Sequence, residues 1–178
     1  MEDTEGTYYD PAVVPFLVDT QINLGGLHFV AQANVLPTVK NPLQGFEGIT
    51  PVGVHVAIPA VKIALKCTAA LKGGQGKILF GTGTVTKRNY ITRRAGAVAA
   101  TEHNIGALFV DTTGGNFVAR QLERMENSKG FYDDGLYFSG TVDAISEARP
   151  TALQFGDVHA EKMETDNLIK MVSLIEKY

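Results

Sequence analysis

Apolar residues along this chain fall into short runs that Gly, Pro and Asp interrupt at close intervals. Leu27 to Ala33 predicts a strand. Pro37, Pro42, Gly45, Gly48 and Pro51 then punctuate Leu36 to Gly53, a spacing that breaks both helix and ladder and predicts an ordered loop. Ala60 to Leu71 is rich in Ala, Leu and Lys and predicts a short helix with Pro59 at its first turn, ended by Lys72-Gly73-Gly74-Gln75-Gly76. Lys77 to Phe80 predicts a buried strand that runs into Gly81-Thr82-Gly83-Thr84-Val85-Thr86. Arg94 to His103 predicts a helix, although Gly96 weakens its propensity. Ile105 to Val110 and Phe117 to Leu122 bracket the turn Asp111 to Asn116 as a hairpin would. Leu136 to Phe138 predicts a short strand.

Arg149-Pro150 marks a boundary, after which Thr151 to Phe155 predicts a further strand. From Thr165 the apolar positions Leu168, Ile169, Met171, Val172, Leu174 and Ile175 recur at helical spacing, and Thr165 or Asp166 can cap that helix. Strand, loop and helix in that order open a layered α/β unit. The expected class is therefore α/β: a mixed region over residues 1–148, then the first strand-loop-helix of a second domain over 149–178. A helix with one apolar face needs a covering layer, so this second unit is expected to continue in sequence beyond the chain.

A chain of 178 residues fits one domain, or one domain and the start of another. With 44% apolar and 20% charged residues the composition is that of a globular protein. A net charge of −3 gives no global attraction to nucleic acid or acidic membranes, so any such binding must be local. Cys67 is the one cysteine, which excludes an intrachain disulfide and fits a reducing compartment; its apolar setting predicts a packed small hydrophobe. Residues 1–10 are polar, and the acidic start Met1-Glu2-Asp3-Thr4-Glu5 does not resemble a signal peptide. No stretch reaches the ~18 apolar residues of a membrane span. The expectation is a cytoplasmic protein that does not enter membranes.

The densest chemistry lies in Thr151-Ala152-Leu153-Gln154-Phe155-Gly156-Asp157-Val158-His159. Side chains two apart on a strand point the same way, so Asp157 and His159 can grip one ion. Carboxylate plus neutral imidazole suits divalent Mn, Fe or Zn. This element resembles the first signature of the calcineurin-like metallophosphoesterases, in which an apolar strand ends in Asp-x-His. The resemblance implies that Asp157 and His159 are ligands to one metal of a two-metal pair that hydrolyses phosphoesters. A further Asp, an Asn-His pair and more histidines complete the family's site and are expected downstream, so whether this chain alone is an enzyme stays open.

A wider likeness runs through Pro37-Thr38, Asn41-Pro42-Leu43, Lys77 to Thr86, Glu102-His103-Asn104-Ile105-Gly106-Ala107-Leu108 and Phe117 to Leu122, in that order ahead of Gly-Asp-Val-His. Together they are similar to early proteins of large tailed bacteriophages that carry such a phosphoesterase domain and are linked to takeover or degradation of host DNA. That resemblance implies a host-cytoplasmic location.

Lys87-Arg88-Asn89-Tyr90-Ile91-Thr92-Arg93-Arg94 gathers four cations around one aromatic in an acidic protein. Cations neutralise phosphates and an aromatic can stack on a base, so Lys87, Arg88, Tyr90, Arg93 and Arg94 are the candidate nucleic-acid contacts. Thr82, Thr84 and Thr86 alternate and would line one face of an extended segment. His28, His55, His103 and Asp111 read as structural groups, and Asp111 as ordinary turn chemistry. Lys72 to Lys77 does not form a phosphate loop, because Ile78 follows where Ser or Thr is required. Two functions are expected from these features. The first is the amino-terminal part of a metal-dependent phosphodiesterase or nuclease acting on DNA. The second is a non-catalytic phage protein that binds nucleic acid or a host protein through the 87–94 segment.

Overall fold

The computed structural model describes residues 11–69, 76–115, 117–126, 129–139 and 145–147, together with positions 166, 169, 170, 172 and 173. Within these residues the chain is mixed α/β. A five-stranded sheet has the order β1-β2-β3-β5-β4, built from β1 (Ile22–Leu24), β2 (Leu27–Phe29), β3 (His55–Ile58), β4 (Ile63–Thr68) and β5 (Lys77–Thr82). Strands β2, β3 and β5 run parallel, while β1 and β4 are antiparallel to their neighbours. The helix α1 (Arg94–Thr101) leads into an antiparallel hairpin of β6 (Gly106–Asp111) and β7 (Val118–Glu123). A three-stranded meander, β8 (Phe131–Asp133), β9 (Leu136–Phe138) and β10 (Ile145–Glu147), follows.

Alternation along the central strands sends side chains to two faces, and each face acquires its own core. On one face Val56, Ile58 and Leu79 pack with Leu43, and the turn-rich segment after β2 covers them with Val30, Ala33, Val35 and Phe46. The predicted loop at 36–53 is thus a lid on the sheet, and it buries Leu43 almost completely. On the other face Leu27, Ala57 and Phe80 lie beneath the β6–β7 hairpin, through Leu108, Val110, Phe117 and Ala119.

The hairpin is also pinned by hydrogen bonds. Gln121 Nε2 donates to the carbonyls of both Ala64 and Gly81, at 2.8 Å each. Gly81 lets the chains come this close, since a Cβ there would lie 2.7 Å from the Lys62 carbonyl oxygen. Arg120 then fastens the hairpin to the meander, with Nε donating to Asp133 Oδ1 at 2.6 Å and its second nitrogen to Oδ2 at 3.0 Å. The same guanidinium lies 4.4 Å above the Phe109 ring, a stacking that Lys could not reproduce.

Strand β5, helix α1, the hairpin and β9 stand where the sequence pattern predicts them. The run from Leu27 is strand only to Phe29; the Val30 amide still reaches Ala57 O, and the chain then turns at Ala33. The described part of the span predicted as helix, Ala60 to Ala69, is not helical. It holds β4, paired with β5 from Ile63↔Thr82 to Thr68↔Lys77. Ala, Leu and Lys favour helix by tenths of a kcal/mol each, and six ladder pairs with Ala64 in the core outweigh that preference. Cys67 does not pack as a small hydrophobe, because β4 is the sheet edge and the thiol is exposed. The Thr82, Thr84 and Thr86 hydroxyls do not form one row either. Gly83 turns the chain at φ +71, Thr82 donates to Gly83 O, and the Thr84 and Thr86 hydroxyls bond each other. The positions described near the end, Asp166, Ile169, Lys170, Val172 and Ser173, are helical as expected. The predicted strand at 151–155, most of the turn at 72–76 and the polar stretch 1–10 lie outside the described residues.

His55 opens β3 and uses Nδ1 to accept the Ile78 amide at 2.9 Å, while its ring meets Phe117 edge-on at 4.5 Å. Burial lowers its pKa from the ordinary 6.5, and protonation would set an N–H against the Ile78 N–H. A group depressed in this way contributes stability fully above its unfolded value, and that contribution is lost as pH falls through 6.5 toward the lowered native value. Urea midpoints should therefore decline from pH 7.5 to pH 5. The decline should be shallower in His55→Gln, whose amide oxygen can accept the Ile78 amide without titrating. Equal slopes for the two proteins would remove His55 as the cause.

Candidate nucleic-acid interface

After Thr82 the chain leaves the sheet and crosses to α1 through the basic segment. Two close contacts hold that crossing against the helix. The first centres on His103, just beyond α1, which is 2% exposed. His103 Nε2 lies 2.9 Å from the Thr86 carbonyl oxygen, which can only accept, so Nε2 carries the proton. Nδ1 is then the acceptor for the Tyr90 hydroxyl at 2.7 Å, and the two rings meet edge to face. The His103 carbonyl also accepts from the Arg88 guanidinium at 3.2 Å. One buried residue thus holds Thr86, just ahead of the segment, and positions 88 and 90 within it.

The second contact is at Gly96. A Cβ there would lie 1.9 Å from the Ile91 carbonyl oxygen, so the crossing rests on the helix where there is no side chain. Burial raises the pKa of the Tyr90 hydroxyl, partly opposed by the nearby Arg88 charge.

The cations Lys87, Arg88, Arg93 and Arg94 are exposed, interleaved with exposed Asn89, Ile91 and Thr92, and the ion pairs among the described residues join Lys62 to Glu102, Lys66 to Glu47 and Arg120 to Asp133 instead. Arg93 is the N-cap of α1, with no side-chain cap hydrogen bond and no acidic residue in the first turn. The amide groups at a helix start already carry partial positive charge. Two arginines there are disfavoured by about 0.3–1 kcal/mol each unless an anion approaches. Arg88 differs from the other cations, since part of its hydrogen-bonding capacity is turned inward.

The histidines and Asp111 have the structural roles expected of them. His28 Nδ1 accepts from Gln21 at 2.8 Å, and His55 and His103 are engaged as described. Asp111 caps its own turn by accepting from the Thr113 amide at 2.8 Å, and hydrogen bonding to Thr113 holds its carboxyl below the usual range. The described residues contain no cluster of three potential metal ligands. Asp157 and His159, the expected ligands, lie outside the described residues. Sequence reasoning missed His103 as the anchor of the basic segment, and no spacing signal announces it, because its partners stand 13 and 17 residues away.

Among known proteins, Protein A1 of Escherichia phage T5 is 37% identical over 170 residues, which take in 93% of this chain and 31% of that protein. The chain therefore spans about a third of the length of the relative it matches. That likeness supports a bacteriophage origin. No family model matches the chain, and no solved structure matches it. No helix among the described residues is long and apolar enough to cross a membrane.

In an unencumbered helix Gly→Ala adds up to ~1 kcal/mol of stability. Gly96→Ala should instead destabilise by about 1–3 kcal/mol, the range for overpacking, because the Ile91 backbone must move away. Urea denaturation of the variant is the check, and a raised midpoint would show that segment 87–93 does not rest on α1.

Proposed function

We propose that this chain is the amino-terminal part of a phage-encoded, metal-dependent phosphoesterase that acts on DNA in the host cytoplasm. In this reading the mixed α/β region of residues 1–148 docks the substrate and the unit from 149 begins the metal-dependent domain. The observation that carries it is the basic segment: cations without carboxylate partners among the described residues, on a crossing held by His103. Phosphate is the anion that such a surface suits, with Lys87, Arg93 and Arg94 as contacts and Arg88, also exposed, contributing the part of its guanidinium not bonded to His103. Asp157 and His159 would begin a centre for Mn, Fe or Zn, to which a carboxylate and an imidazole are both suited. When bound, such a metal pair stabilises the charge that develops on a phosphoester.

A binding role alone, to nucleic acid or to a host protein, is the second reading. It is favoured by the cations standing within the described fold while the metal chemistry rests on sequence pattern.

Two measurements separate these readings. Titration with Mn by calorimetry should show binding in the chain and its loss in Asp157→Ala, with DNA affinity unchanged. Replacing Lys87, Arg93 and Arg94 with Ala should lower DNA affinity and reduce the steepness of log K against log salt by about two to three, near one per lost phosphate contact. Absence of Mn binding in the unmutated chain counts against the metal assignment, and an unchanged salt slope counts against the phosphate contacts.

A further inference from the structure

Tyr90 is the aromatic within the basic segment, and an aromatic among cations suggests stacking on an unpaired base. Its placement points elsewhere. The hydroxyl of Tyr90 is donated inward to a ring that is 2% exposed, and the far nitrogen of that ring grips the backbone of Thr86. The unit Thr86–His103–Tyr90 therefore spans the root of the segment and ties its first half, from 86 to 90, to one point. Thr84 strengthens the root, with its hydroxyl bonded to that of Thr86 at 2.8 Å and its amide to Asn104 O at 3.0 Å.

Resting on the reading of this segment as a phosphate contact, we infer that Tyr90 and His103 are positioning residues, which brace the 87–94 crossing so that its cations meet the DNA backbone, and that Tyr90 does not stack on bases. A braced row of cations without a stacking ring reads charge density, and a duplex presents more of it than a single strand. The ligand class is thus duplex DNA, bound without sequence preference.

The test compares a fluorescent 20-mer duplex with one of its strands, using the full 178-residue chain at several salt concentrations. Tyr90→Phe keeps the ring and removes the hydroxyl, while Tyr90→Leu removes both. The braced segment should bind duplex more tightly than single strand. Tyr90→Phe should weaken both by roughly five-fold, the scale of ordering an otherwise loose segment on binding, and Tyr90→Leu should be no worse. The salt slope should stay as it was, because no phosphate contact is lost. Amide hydrogen exchange over 86–92 should quicken in Tyr90→Phe while β5 and α1 keep their protection. His103→Gln, which retains a donor and an acceptor, should recover most of what His103→Leu loses.

A Tyr90→Phe protein that binds like the parent, with Tyr90→Leu losing single-strand affinity alone, would establish stacking and overturn the brace. Unchanged exchange over 86–92 in Tyr90→Phe would overturn it as well, whatever DNA does. If the parent chain binds neither DNA form, the phosphate reading itself fails, and with it the inferred use of the brace.

Discussion

Between the end of α1 and the start of β6, two consecutive residues satisfy polar groups from separate parts of the chain. His103 serves the basic crossing through Thr86, Arg88 and Tyr90. Asn104 serves the sheet and the hairpin. Its side-chain oxygen accepts the Ile63 amide at 3.0 Å, its side-chain nitrogen donates to Glu123 at 2.7 Å, and its own amide reaches Val61 O. Both residues are needed because the edge strand β4, the crossing and the base of the β6–β7 hairpin converge here. Backbone groups at such a junction would otherwise be left without partners, at a cost of about 1–3 kcal/mol each. Gly106 completes the fit, since a Cβ there would stand 2.3 Å from the Leu122 carbonyl oxygen.

This junction lets a small mixed sheet carry a charged surface segment. The two cores are modest in size, and the hairpin over one of them is held as much by directed hydrogen bonds as by apolar contact. Directed bonds fix register, which apolar packing alone leaves looser. The position of α1, and with it the cations at its start, follows from the register of β5 and β6 through the bridge between Thr84 and Ile105.

The elements legible in the sequence were those with a local signal: a continuous apolar run for β5, paired runs around a Gly-rich turn for the hairpin, and Ala-rich sequence for α1. The same Ala-rich cue misread β4, whose identity depends on pairing with a strand that comes later. β1, β8 and β10 are three residues each, too short to show a period. The candidate contacts were legible by charge alone. Their bracing was not, because hydrogen bonds between residues far apart in sequence leave no pattern in it. The face of β4 that carries Cys67 was misjudged for a related reason: an apolar neighbourhood in sequence does not say whether a strand is central or at the edge.

The strand order places β5 between β3 and β4, although β3 and β4 are neighbours in the chain. The two cannot pair with each other in passing, and must leave room for a strand that arrives later. On the ribosome this means that β1, β2 and β3 can pair first, but the far side of β3 stays open until residues up to Thr82 have emerged. The lid over one face waits on the same event, because Leu43 packs on both Val56 and Leu79. Contacts this distant in sequence make for slow folding. The growing chain therefore passes through a period with β3 exposed along one edge, when capture by another unfolded copy competes with completion of its own sheet.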